Sequence, residues 1–175
     1  MGVARVTGSG VRPSGATVAT KLVEDWARLR PDLDTWPYRI YASAGELVRV
    51  ITDELEPVFV DLGIKGGDYT VLSEIYRAGP PYEGSPTELS RALHITTGAM
   101  TRRLDRLEAA GYLQRLPHEV DRRALVVRLT PAGVAVVNQA VEAILVLLAS
   151  RLAPIKDRIV EFEQMCRDVL SALEG

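Results

Sequence analysis

Six side chains within one short stretch of this 175-residue chain carry the recognisable chemistry: Thr96, Thr97, Gly98, Thr101, Arg102 and Arg106. If the stretch is helical, each residue advances about 100° around the axis. Gly98, Thr101, Arg102, Asp105 and Arg106 then share one face, opposite Met100, Leu104 and Leu107. The chemistry on offer is recognition rather than bond-making. A helix fits the major groove of DNA, and residues of its first turns reach base edges. Gly98 permits close approach. Thr97 and Thr101 can bond phosphates or touch thymine methyls, and Arg102 can give two parallel hydrogen bonds to a guanine. Arg106 extends the basic face. An amphipathic helix with a solvated basic side would look the same in isolation.

A second cluster follows at Asp121, Arg122 and Arg123. Asp121 can hold Arg123 across a turn, and an arginine held at a hairpin tip suits a narrow minor groove. Alone, this is as consistent with a surface ion pair. Catalytic constellations are missing: there is no Ser-His-Asp or Cys-His set, and Gly63, Gly66 and Gly67 lack the Lys-Ser/Thr of a phosphate loop. His94 and His118 lie far apart without spaced cysteines or carboxylates, so no metal and no cofactor are expected. Cys166 lies among apolar residues and reads as a buried, inert thiol.

The positioning elements are legible from caps, breaks and periodicity. Ser85-Pro86-Thr87-Glu88 reads as a capping box with proline at the first helical position, opening a helix over 86–93. Ile95 to Gly98 break it, with Thr96 or Thr97 as cap of the next helix, which Gly111 ends. Residues 112–116 and 124–129 read as two strands of a hairpin, with Leu125, Val127 and Leu129 alternating onto one face. Upstream, helices are expected over 17–29, from about 35 to 62 and, capped by Asp68, to about 78. Residues 79–84 read as a stiff connector. Downstream, a helix over 131–151 is apolar almost all round, which requires a partner to cover it. Pro154 separates it from a last helix ending near Leu173. The expected organisation is a flexible tail over 1–15, N-terminal helices over 16–62 for dimerisation and a possible ligand layer, a DNA-binding domain over 63–130, and C-terminal dimerisation helices over 131–175.

Composition at first argues against nucleic acid, since the net charge is −2 and the pI about 5.8. The charge is unevenly placed. Residues 85–130 hold 8 basic and 5 acidic side chains, net +3, whereas residues 1–84 are at −3 and 131–175 at −2. Local charge governs phosphate contact. The single cysteine excludes an internal disulfide and fits a reducing cytoplasm. No secretion signal and no membrane-spanning helix are expected.

Thr87-Glu88-Leu89, the run Gly98-Ala99-Met100-Thr101-Arg102-Arg103-Leu104-Asp105-Arg106-Leu107-Glu108, Gly111-Tyr112-Leu113, Asp121-Arg122-Arg123 and Leu129-Thr130-Pro131-Ala132-Gly133 together resemble the winged helix-turn-helix core of the MarR family of bacterial regulators. The resemblance implies a mainly α fold with a small β-hairpin wing, and interlocking N- and C-terminal helices that form a dimerisation layer. It also implies a cytoplasmic homodimer, nucleoid-associated when DNA-bound, that binds a palindromic operator in double-stranded DNA. Such a protein is usually a repressor released by a small-molecule effector. The rival reading is a winged helix used for protein contact. The segments 26–34 and 77–89 narrow the resemblance to the family's urate-responsive, PecS-like subgroup, which carries an extra N-terminal helix. There, a tryptophan, an aspartate and an arginine form the ligand pocket. Trp26 and Arg103 match two of these positions, and Thr70 stands where the subgroup has its aspartate, which argues against urate itself.

Overall fold

The computed structural model describes residues 17–117 and 125–175. Its elements are α1 (Val18–Leu29), α2 (Trp36–Asp61), α3 (Gly66–Arg77), β1 (Glu83–Gly84), α4 (Pro86–Ala92), α5 (Thr97–Ala109), β2 (Leu113–Pro117), β3 (Leu125–Leu129), α6 (Pro131–Leu152), a 3₁₀ segment (Ala153–Arg158) and α7 (Ile159–Glu174). They group into two compact units, one running through Glu54 and the other from Leu55 to the C-terminus.

In the first unit, α1 shows complete satisfaction of its leading N–H groups, which a helix cannot bond internally. Glu46 of α2 accepts from Val18 (3.2 Å) and Ala19 (2.9 Å). The Thr17 hydroxyl accepts from Thr20, and the Thr17 carbonyl from Lys21. Ala19, Val23 and Ala42 form the small core of this unit. Asp34 accepts from the Trp36 N–H at the start of α2.

In the second unit, Met100, Leu104 and Leu107 are buried as their spacing requires, against Val71, Leu72 and Ile75 of α3, Leu113, Val127 and Leu129 of the sheet, and Val136 and Val137 of α6. Each such side chain contributes roughly 1.5–3 kcal/mol by leaving water. Thr130 caps α6 through the Gly133 N–H (3.1 Å) and donates to the Gly111 carbonyl (2.7 Å), so it joins the end of α5 to the start of α6. Gly133 is required there, because a Cβ would overlap the Tyr112 carbonyl oxygen.

The connector differs from expectation. Glu83 and Gly84 form a third strand, pairing antiparallel with β3 at Arg128 and Val127, so the order is β1-β3-β2 and β3 is central. A cross-strand Glu83–Arg128 ion pair and the Leu129 N–H to Tyr82 carbonyl bond fasten it. Ser85 has the extended backbone of a cap, yet its side chain makes no capping bond. The expected capping box is therefore not formed, and nothing in the structure explains this. In β3 only Val127 and Leu129 are buried, and Leu125 is exposed.

The last two helices leave much apolar surface open. α7 has no buried residue, and Leu145, Val146, Val160, Met165 and Leu173 are exposed. Cys166, expected to be buried, is exposed in the single chain. The stretch 131–174 is also long and apolar enough to cross a bilayer by length and composition, where none was expected. Its first half is nonetheless a core helix. Val136, Val137 and Ala140 are buried, and Asn138 accepts a hydrogen bond from the Tyr76 hydroxyl at 2.9 Å.

Candidate nucleic-acid interface

α5 begins as its sequence dictates. Thr96 is the cap, its hydroxyl accepting from the Ala99 N–H at 3.2 Å. Thr97 and Gly98 lie exposed in the first turn, and Thr101 donates to the Thr97 carbonyl at 3.0 Å, leaving its oxygen lone pairs and methyl outward. A Cβ built on Gly98 would meet nothing within 4 Å, and its φ is not positive. The chain itself therefore has no need of glycine at this position. Arg102 is exposed, with no ion pair among the described residues.

Arg106, four residues on, does not extend this face as expected. Its Nε and Nη2 donate to both oxygens of Asp68 on α3, at 3.1 and 2.6 Å. Asp68 is 5 % exposed and is the one buried charged residue among those described. The bond to Asp68 raises the Arg106 pKa, burial opposing it. A charge-assisted pair with one partner inside the core is a commitment the sequence pattern could not reveal. Asp68 is thus not the cap of α3, for which Lys65 holds that position.

Asp105 is fixed as well. Arg115 of β2 donates to it at 2.6 Å and bonds Glu108 through both its guanidinium and its backbone N–H. Burial alone would lower the Arg115 pKa, but these carboxylate bonds outweigh it and raise it. The wing is thereby tied to α5 on one side as Asp68 ties α3 on the other. Asp121, Arg122, Arg123 and His118 lie outside the described residues, and His94 sits in the turn before α5 with φ 50°.

Of the three expected ligand residues, Thr70 and Arg103 come together. Arg103 donates to the Gly67 carbonyl at 2.8 Å and lies 3.3 Å from the Thr70 hydroxyl. No carboxylate meets Arg103 among the described residues, and the guanidinium packs so closely on Gly67 that a Cβ there would stand 2.9 Å from it. Trp26 is 43 % exposed on α1. No group of three or more metal-binding side chains occurs among the described residues.

Residues 62–124 match the MarR family. Over 121 residues the chain is 37 % identical to the HTH-type transcriptional regulator PecS of Dickeya dadantii, covering 69 % of this chain and 73 % of that one. The chain belongs to the MarR family. It is also 38 % identical over 100 residues to the multiple antibiotic resistance protein MarR of Salmonella typhimurium, spanning 57 % of this chain and 65 % of that protein. Among solved structures, a mutant MarR from E. coli complexed with operator DNA superposes with a TM-score of 0.64 at 26 % identity, covering 83 % of this chain and 97 % of the other. AbsC of Streptomyces coelicolor, at 19 % identity, shares the fold with a TM-score of 0.67 over 78 % and 93 % of the two chains. The family's winged helix-turn-helix is therefore the fold of this chain, and PecS among its relatives is named as a transcriptional regulator.

Proposed function

We propose that this MarR-family protein is a cytoplasmic, DNA-binding transcriptional regulator, a homodimeric repressor that leaves a palindromic operator when a small planar aromatic or anionic ligand binds. One observation carries the DNA reading. α5 presents an Arg102 with no ion pair among the described residues, beside a glycine that its own fold does not need. Thr97 and Thr101 flank them. Reading through a protein partner would call for a cluster of exposed apolar anchors, and among the described residues of 63–130 Leu125 is the one exposed large apolar residue. The apolar faces of α6 and α7 supply the surface for a second copy, which would set two reading helices about 34 Å apart on successive turns of one duplex. The domain roles read from sequence carry over: N-terminal helices and C-terminal helices for dimerisation, residues 63–130 for DNA.

For the effector, Arg103 and Thr70 are the polar elements that support an anionic or hydrogen-bonding ligand; a role for Trp26 rests on the resemblance to the subgroup alone. Such a ligand can act only by binding the two states of the dimer with different affinity. The test is fluorescence anisotropy with DNA flanking the protein's own gene, against a scrambled duplex and then with a panel of planar aromatic acids. Tight, salt-sensitive binding to the flanking DNA, relieved by one of the acids, is the expected result. Equal weak binding to both duplexes would remove the DNA reading, and operator binding that ignores every acid would remove the effector.

A further inference from the structure

From the ion pair between α3 and α5 we infer that Asp68 is a specificity-determining positioning residue, which withholds the Arg106 charge from the DNA backbone. This rests on the DNA reading above. Arg102 and Arg106 are four residues apart and so lie on neighbouring turns of one face of α5. One is unpartnered among the described residues. The other has two of its three guanidinium nitrogens, Nε and Nη2, on Asp68, although 44 % of its side chain is open to solvent. Exposure alone would let Arg106 swing to a phosphate. The obstacle lies at the other end of the pair: the Asp68 side chain is 7 % exposed, and its oxygens accept from no other described residue. Moving Arg106 to a phosphate would strand a buried anion, which costs more than a surface phosphate contact returns.

The consequence is for specificity. An unpaired arginine strengthens binding to any sequence through counterion release, without reading a base. Neutralising Arg106 removes that indiscriminate contribution from the helix that carries Arg102. The two parallel bonds also fix the roll of α5 on α3, and with it the direction in which Arg102 and Thr101 point. Asp68 never touches DNA in this account; it acts through Arg106.

The experiment compares the full-length protein with Asp68→Asn, Arg106→Gln and the double variant, by anisotropy on flanking and scrambled duplexes over a salt series. Arg106→Gln should keep the parental salt slope. Asp68→Asn should steepen the slope by about 0.9 for each bound protomer, tighten binding to the scrambled duplex and lower the flanking-to-scrambled affinity ratio. The double variant should return to the parental slope, which a merely structural role for Asp68 would not bring about. A shallower slope for Arg106→Gln alone would mean that Arg106 already sits on a phosphate, and would overturn the inference, as would a parental slope and ratio in a folded Asp68→Asn. If either single variant does not fold, the double variant, which leaves neither charge stranded, decides by itself: a parental slope supports the inference and a shallower one overturns it. Specific binding by the parent with none of these slope differences defeats this inference alone, whereas no binding to either duplex by any of the four proteins defeats the DNA reading and the inference with it.

Discussion

Gly98→Ala separates what the fold needs from what the interface needs. A methyl at this position meets no atom of the chain within 4 Å, and the backbone is not in the left-handed region. Replacing glycine by alanine within a helix is worth roughly 0.5–1 kcal/mol. Gly98 is the second residue of α5, so the lower figure applies, about 0.5 kcal/mol. For a chain of this size that raises the thermal midpoint by about 1–2 °C. If the same backbone lies against DNA, the methyl must be accommodated in a packed contact, where overpacking costs about 1–3 kcal/mol per site. Affinity for the flanking DNA should then fall by roughly 5- to 140-fold. The assays are a calorimetric melt and an anisotropy titration on one preparation, so that a gain in stability and a loss of binding are seen together. A variant that melts higher and binds as tightly as the parent would refute the placement of Gly98 against the groove.

Other expectations follow from single contacts. Arg102→Ala should relax preference at one base pair, at about 1–3 kcal/mol, while leaving scrambled-duplex affinity nearly unchanged; equal losses on both duplexes would remove its base-reading role. Phe162→Asp places a charge on the open face of α7, where Phe162 is 48 % exposed in the single chain, and should shift the light-scattering mass from two copies to one. The Ala19 N–H first, and the Val18 N–H with it, hold the Glu46 carboxyl below its ordinary value. A lowered carboxylate pKa contributes stability above the unfolded value, about pH 4.3, and loses it as pH falls through the folded one. The protection of the Val18 and Ala19 amides, taken relative to their intrinsic exchange rates, should therefore fall below about pH 4.3 in the parent and be low at neutral pH in Glu46→Gln. Protection at these amides that stays constant through that range would contradict the bond.

The reading helix was legible because three local signals agree: the Thr96 cap, the Met100-Leu104-Leu107 stripe and Gly111 at the end. β2, β3 and the Thr130-Pro131 start of α6 were legible for the same reason. β1 was not, because two residues are too few to alternate and its pairing depends on β3, more than forty residues away. The destiny of Arg106 was hidden more deeply. Its helical position predicts an outward guanidinium, and only the packing of α3 against α5 decides that Asp68 is buried beside it. Asp68, early in a helix, carries the signature of a residue complementing the helix dipole, and sequence offers no means of telling that use from an interior ion pair. Cys166 illustrates the reverse error: apolar neighbours on α7 suggested burial, but that face is open in the single chain.

The central position of β3 restricts how an effector can act. With β1 on one edge and β2 on the other, the root of the wing cannot peel away on its own, since both of its margins are already stitched to the stems of α4 and α5. If an effector acts as proposed, a loss of operator fit is then expected from moving each reading lobe as a block rather than from unzipping its sheet. The slow-exchanging amides of that sheet should accordingly keep their protection whether or not the effector is present.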